Sequence, residues 1–199
     1  MNHPPKFAGI EFHVSAASAG GLPHSVAEVA IAGRSNSGKS SAINALAGRR
    51  RLAFVSKTPG RTQLINFFSL GGQRFLVDLP GYGYAKVPQA LRAGWDDMIA
   101  GYLQSRASLK GLIVTMDVRH PLTPLDLQLL RWFDGPGKPV HVVLTKADKL
   151  STQQAENQRR ETARKLSAVS SGTSVQLFSV PARAGVEELE AVLTNWLET

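Results

Sequence analysis

The chain of 199 residues contains no cysteine, so disulfide scaffolds, Cys-ligated zinc, iron–sulfur clusters and a cysteine nucleophile are all excluded. Its apolar runs are short. None approaches the ~18 residues that a membrane-crossing helix needs. Residues Met1–Phe12 include Pro4, Pro5, Lys6 and Glu11 and lack the apolar stretch of a secretory signal, so the sequence reads as cytoplasmic. The five histidines (3, 13, 24, 120 and 141) show no metal-ligand spacing. No repeat or low-complexity segment is present, and 43% hydrophobic residues is too many for a disordered chain.

Acidic residues are also missing from one region. Between Val29 and Val77 there is no Asp or Glu, while Arg34, Lys39, Arg49, Arg50, Arg51, Lys57, Arg61 and Arg74 supply eight cations. The rest of the chain balances, so the net charge of +8 belongs to this window. A one-signed surface of this kind either keeps the protein soluble or attracts polyanions. Next to a phosphate site it favours RNA, read by phosphate and shape, because no aromatic stacking platform is evident.

Strand patterns are read at Glu28–Ala32, Ile65–Leu70, Arg74–Asp78, Leu112–Asp117, Val140–Thr145 and Val175–Ser179, mostly as near-continuous apolar runs. Helical patterns are read at Lys39–Ala47, Pro88–Leu103, Thr123–Phe133, Ser151–Ala168 and Val186–Leu197. Gly71, Gly72 and Gln73 are too few for a crossover, so the two strands they join form an antiparallel hairpin. The expected architecture is α/β in three layers. It has about six strands, mostly parallel with one antiparallel edge strand, and helices on both faces. Residues 1–24 read as an N-terminal extension and 25–199 as one domain.

The first of these strands leads into Gly33-Arg34-Ser35-Asn36-Ser37-Gly38-Lys39-Ser40, which fits G-x-x-x-x-G-K-[ST] between a strand and a helix. Gly33 and Gly38 let the backbone fold tightly, so several N–H groups can face one anion, and the helix start adds its positive dipole end. Lys39 is placed to reach the β- and γ-phosphates, and Ser40 to give a hydroxyl to Mg²⁺. Asp78-Leu79-Pro80-Gly81 ends another strand. Its carboxylate can hold Mg²⁺ through water, and the Gly81 N–H can meet the γ-phosphate. Between these motifs a Pro/Gly loop offers Thr62, and second Thr58, as a residue whose hydroxyl binds Mg²⁺.

Thr145-Lys146-Ala147-Asp148 fits [NT]-K-x-D. One carboxylate can accept both the N1–H and the 2-amino group of guanine. Adenine offers neither donor, so Asp148 selects the base. The Lys146 stem can lie over the ring. Ser179, flanked by Phe178 and Val180, is placed by position to bring N–H groups to guanine O6.

With these residues in hand, the chain resembles the EngB (YihA/YsxC) family of translation-factor-related small GTPases from about Phe12 to Trp196. The most specific segments are Gly33 through Ser41, Lys57-Thr58-Pro59-Gly60-Arg61-Thr62-Gln63, Asp78 through Ala85, and Thr145 through Asp148. The leader, Ser15-Ala16 and Leu22-Pro23, is also similar. The resemblance implies a bacterial GTPase with Mg²⁺ at Ser40 and Thr62, a role in late assembly of the large ribosomal subunit, and a link to cell division and septation. Two positions depart from the pattern: Ser37, where a small apolar residue is usual, and Val180-Pro181, where a second Ser is usual.

Hydrolysis requires an oriented water, and Ras-like proteins use a glutamine directly after D-x-x-G. Here Tyr82 stands in that place, which predicts slow turnover that a partner stimulates. Lys39, Thr62 and Gly81 are the catalytic candidates. Related GTPases hold a monovalent cation at an Asn in the position of Asn36, which makes Asn36 a candidate K⁺ ligand and equally an ordinary turn residue. Arg61 is a weaker finger candidate. The competing readings are a P-loop ATPase or nucleotide kinase, and a division-site interaction protein that holds GTP as a structural ligand.

Overall fold

The computed structural model describes residues 6–49, 51–53, 64–83, 98–133, 137–168 and 172–198. The expected helix start at Pro88 and the candidates Gly60, Arg61, Thr62 and Gln63 lie outside the described residues, as do Arg50, Lys57 and Thr58.

Strands β1 (Glu11–Ala16), β2 (Ala27–Gly33), β3 (Ile65–Ser69), β4 (Arg74–Asp78), β5 (Leu109–Asp117), β6 (Val140–Thr145) and β7 (Thr173–Leu177) form one sheet in the order β1-β3-β4-β2-β5-β6-β7. The five strands from β4 to β7 are mutually parallel. The hairpin is present, with β3 antiparallel to β4. There is one more strand than the six expected. It comes from residues assigned to the N-terminal extension, since β1 pairs antiparallel with β3. The antiparallel strand β3 therefore lies one place in from the edge. β1 is fastened there by a Ser15–Asn66 side-chain bond of 2.6 Å and an edge-on Phe12–Phe68 contact at 6.0 Å.

Strand β2 is buried along its whole length, as its apolar run requires. Alternation divides its side chains between two cores. Ala30 and Ala32 join one, with Tyr102 and Leu103 from the helical residues 98–105 (α2), Leu129 and Phe133 from α3 (Pro124–Phe133), and Leu166 from α4 (Thr152–Ser167). Val29 and Ile31 join the other, with Ile43 and Leu46 from α1 (Lys39–Leu46) and Leu189 and Leu193 from α5 (Val186–Glu198). Helices thus cover both faces, which gives the three layers. Each fully buried Leu or Ile stabilises by roughly 1.5–3 kcal/mol. α4 opens on a capping box in which Ser151 and Gln154 satisfy each other's backbone N–H. Among the described residues, no helix is long and apolar enough to cross a membrane.

Candidate nucleotide site

The described candidate residues gather at the carboxyl ends of β2, β4, β6 and β7, where parallel sheets leave a crevice. The turn after β2 is built from backbone that few residues adopt. Asn36 is left-handed at φ 64° and Gly38 at φ 91°. A Cβ on Gly38 would press on the Thr145 side chain at 3.1 Å. A Cβ on Gly33 would collide with the Thr115 and Ser37 hydroxyls, so glycine is obligatory there. The departure at Ser37 has a local explanation, because its buried Oγ lies 2.7 Å from Thr115 Oγ1.

Two successive carbonyls of this turn are held from β6. Thr145 Oγ1 donates to Ser37 O, and Lys146 Nζ donates to Asn36 O at 2.8 Å. The carbonyls are thereby turned toward β6. Helix α1 begins at once, and its first helical bond runs from Ala42 N to Gly38 O at 2.9 Å. Among the described residues the N–H groups of Lys39, Ser40 and Ser41 have no backbone partner, as at any helix start. Lys39 is ion-paired with Asp78, with only 13% and 11% of the two side chains exposed. Ser40 is half-buried and Ser41 exposed on the first turn, and Arg34 points to solvent.

On the β4 side, Leu79 and Pro80 are buried, and Leu79 N bonds Ile31 O at 2.9 Å. A Cβ on Gly81 would find only ordinary contacts, the nearest being Gly33 O at 3.5 Å. Packing therefore does not demand glycine at 81; what its missing side chain leaves is space beside the loop. Tyr82 is clamped to the loop by its backbone, since Ser35 N donates to Tyr82 O at 2.9 Å and Tyr82 N to Gly33 O at 3.3 Å. Its hydroxyl turns inward and donates to Asp126 Oδ1 at 2.6 Å. Burial, reinforced by that carboxylate, pushes the Tyr82 phenol far above its ordinary range.

On the β7 side, Ser179 Oγ donates to Asp148 Oδ1 at 2.7 Å, and this bond holds the carboxyl below its usual range. Phe178 is buried in the core, and its carbonyl accepts Ala147 N at 3.1 Å, tying the two base-side turns together. Val180 is 43% exposed, at the outside of the turn that Ser179 closes with Ala184.

Sequence reasoning missed two residues here. Asp117, counted only as the end of a strand, accepts Lys146 Nζ at 2.9 Å, and Asp126 receives Tyr82. The available signal for Asp117 was a second carboxylate at a strand's carboxyl end, in register with Thr145. Arg34, Asn36, Asp117, Arg119 and Lys146 border a cleft of about 450 Å³ outside the loop.

Comparison with known proteins gives this arrangement a class. Residues 28–146 match the family model described as "50S ribosome-binding GTPase", so fold and loop together are those of a P-loop GTPase. The chain is 57% identical over 194 residues to the probable GTP-binding protein EngB of Methylobacillus flagellatus, covering 97% of this chain and 94% of that one. It is 56% identical over 200 residues to the protein of the same name from Nitrosomonas europaea, covering 100% and 90%. The chain belongs to the EngB family of GTP-binding proteins.

Two solved structures share the fold. One is of a probable GTP-binding protein engB, with TM-score 0.66 and 22% identity over 86% of this chain and 99% of that one. The other is of Era in complex with MgGDPNP and nucleotides 1506-1542 of 16S ribosomal RNA, with TM-score 0.66 and 22% identity over 88% and 58%.

Proposed function

We propose that this protein is a cytoplasmic GTP-dependent switch that hydrolyses GTP slowly and acts in assembly of the large ribosomal subunit. The observation that carries the reading is the cross-link between the two motifs. Thr145 and Lys146, from the guanine-selecting turn, hold the carbonyls of Ser37 and Asn36 in the phosphate loop. Base and phosphate selection are thus built as one unit.

The residues present fit a guanine nucleotide. The unpaired N–H groups at the start of α1 and the ammonium of Lys39 face where the phosphates belong, and the space that Gly81 leaves admits the γ-phosphate to its N–H. Asp148, its carboxylate oriented by the bond from Ser179, would accept both donors of guanine. Mg²⁺, when bound, supplies charge neutralisation to the phosphate oxygens. Ser40 and Thr62 would hold it directly and Asp78 through water, with Lys39 passing from Asp78 to the phosphates. The rest of the nucleotide contact runs over Arg34, Ser35, Ser41, Gly60, Arg61 and Gln63, and at the base over Ala147, Phe178 and Val180. We take 25–199 as the GTP-binding domain and 1–24 as an extension packed on it, with Glu11–Ala16 completing the sheet edge.

Tyr82 cannot orient the attacking water, because its hydroxyl is committed to Asp126. Intrinsic turnover is therefore slow and depends on a partner. Asn36 is exposed on the phosphate-loop turn, and a K⁺ held by it would add positive charge there. Its left-handed φ already explains an Asn there, so comparing rates in K⁺ and Na⁺ decides the matter.

The partner reading rests on the 29–77 window. Arg49 and Arg51 are exposed after α1, on a turn that Asn44 fixes by accepting Leu52 N at 2.9 Å and Ala53 N at 2.8 Å. The family description names 50S ribosome binding, and Era was solved with ribosomal RNA. A role in division and septation follows through the same assembly step.

The decisive experiment is titration of the nucleotide-stripped chain with GDP, GTP and ATP, followed by co-sedimentation with ribosomal subunits at rising salt. Tight GDP and GTP binding without ATP competition is expected, with salt-sensitive sedimentation that depends on the nucleotide. ATP competing equally would overturn the guanine assignment. Binding to subunits that ignores both salt and nucleotide would overturn the switch.

A further inference from the structure

We propose that Asp117, braced by Arg119, is a positioning residue for the nucleotide, acting through Lys146. This rests on the guanine-nucleotide reading above and names a part of that site which its motifs leave out.

The register of β5 on β6 sets Asp117 opposite Thr145, one residue before Lys146. Arg119 alone engages one carboxylate oxygen, and Arg119 and Lys146 share the other. Oδ1 accepts the Arg119 backbone N–H at 3.1 Å and Nε at 2.9 Å, and Oδ2 accepts Arg119 Nη2 at 2.7 Å and Lys146 Nζ at 2.9 Å. Only 10% of the Asp117 side chain is exposed, while Arg119 is 45% exposed, so the guanidinium closes the group from the solvent side. The same Lys146 ammonium donates onward to Asn36 O.

A lysine stem has four rotatable bonds and no fixed geometry of its own. Lys146 also sits in a left-handed conformation at φ 59°, so neither end of the residue is held by ordinary preferences. One carbonyl would leave the ammonium free to swing to solvent. A fixed carboxylate opposite that carbonyl gives the ammonium two acceptors and the stem one path, along the face where the base lies. The chain Arg119–Asp117–Lys146–Asn36 thereby couples the grip on the base to the shape of the phosphate loop.

Stopped-flow release of a fluorescent GDP from the full chain tests this, with Asp117→Asn, Arg119→Ala, Lys146→Met and the double variants. Asp117→Asn should speed release about tenfold, as expected for a lost charge-assisted bond, and Arg119→Ala about threefold. In the Lys146→Met background both effects should shrink to about twofold or less, because the side chain they act through is gone. Release from Asp117→Asn at the wild-type rate would overturn the proposal. An undiminished effect in the Lys146→Met background would do so too, by showing a general structural role. If Asp117→Asn does not fold, the exposed Arg119→Ala and its cycle with Lys146→Met decide by the same criteria. A wild-type chain that binds no GDP would instead remove the nucleotide reading itself.

Discussion

Strand β2 carries a charged cluster at each end. At its amino end Glu28 is fully buried, yet it lacks nothing: its carboxylate accepts Ser25 Oγ, Tyr102 OH at 2.7 Å and Arg106 Nη2 at 2.6 Å. Arg106 in turn reaches Pro23 O at 2.6 Å, so the cluster staples the approach to β2 onto α2. At the carboxyl end the loop is held by Thr145 and Lys146 through its carbonyls, while the N–H groups at the helix start have no partner among the described residues. The residue types are similar and the accounting differs. Where every donor and acceptor is matched inside the protein, polar burial fixes structure. Where acceptors are matched and donors are left over, the surplus has one sign and defines an anion site.

The comparison breaks if the two ends respond alike to substitution. Glu28→Gln should cost the most, about 3–5 kcal/mol of unfolding free energy, because it leaves Arg106 and Tyr102 without their charge partner. Chemical denaturation measures it, and GDP affinity per folded molecule should stay at the wild-type value. Asp148→Asn should do the reverse. The unfolding midpoint holds, while GDP affinity by calorimetry falls about a hundredfold for the loss of two charge-assisted bonds. Tyr82→Phe lies between the two ends. It should lower stability by about 1–2 kcal/mol through the bond to Asp126, and single-turnover GTP hydrolysis should remain near wild type because the hydroxyl does not face the nucleotide.

The smallest effect concerns His141. Burial holds its pKa below the ordinary value, against the pull of its Gln176 bond and of Glu188. The unfolded chain therefore takes up a proton before the folded one. The stability this histidine contributes is complete above its ordinary pKa and is lost as pH falls toward the lower folded value. Melting temperature should drop between pH 7.5 and 5.5, and His141→Gln should flatten that drop. A slope unchanged by the substitution would assign it to other groups.

The central strands were legible because burial on both faces leaves a continuous apolar run, as in Val29–Ala32. The loop Gly33–Ser40 and the turn Thr145–Asp148 were legible because their spacing is demanded by their chemistry. What escaped notice depends on partners distant in sequence. β1 alternates Phe12, Val14 and Ala16, but its pairing with β3 shifts register between Phe12 and Val14, and most of the strand is exposed or half-buried. β5 begins at Leu109 rather than at Leu112; Gly111, a poor strand residue, hid that start, and its missing Cβ leaves room for the Trp196 ring of α5. Ser179 lies beyond β7, in a bridge to Ala184 that no local pattern announces. Asp117 and Asp126 acquire their roles only when the sheet brings Lys146 and Tyr82 to them.

The seating of β1 beside β3 also has a temporal side. Glu11–Ala16 is made before the rest of the sheet, but the backbone it needs lies about fifty positions later in the chain, at Ile65–Ser69. Once made, that strand has to wait for its partner to follow it out of the synthetic machinery before it can dock. Until it does, β3 presents a bare row of amides and carbonyls, the kind of edge that recruits a neighbouring molecule. Bulky fusions placed ahead of Glu11 should therefore be felt as clumping of nascent material well before they are felt as lost catalysis.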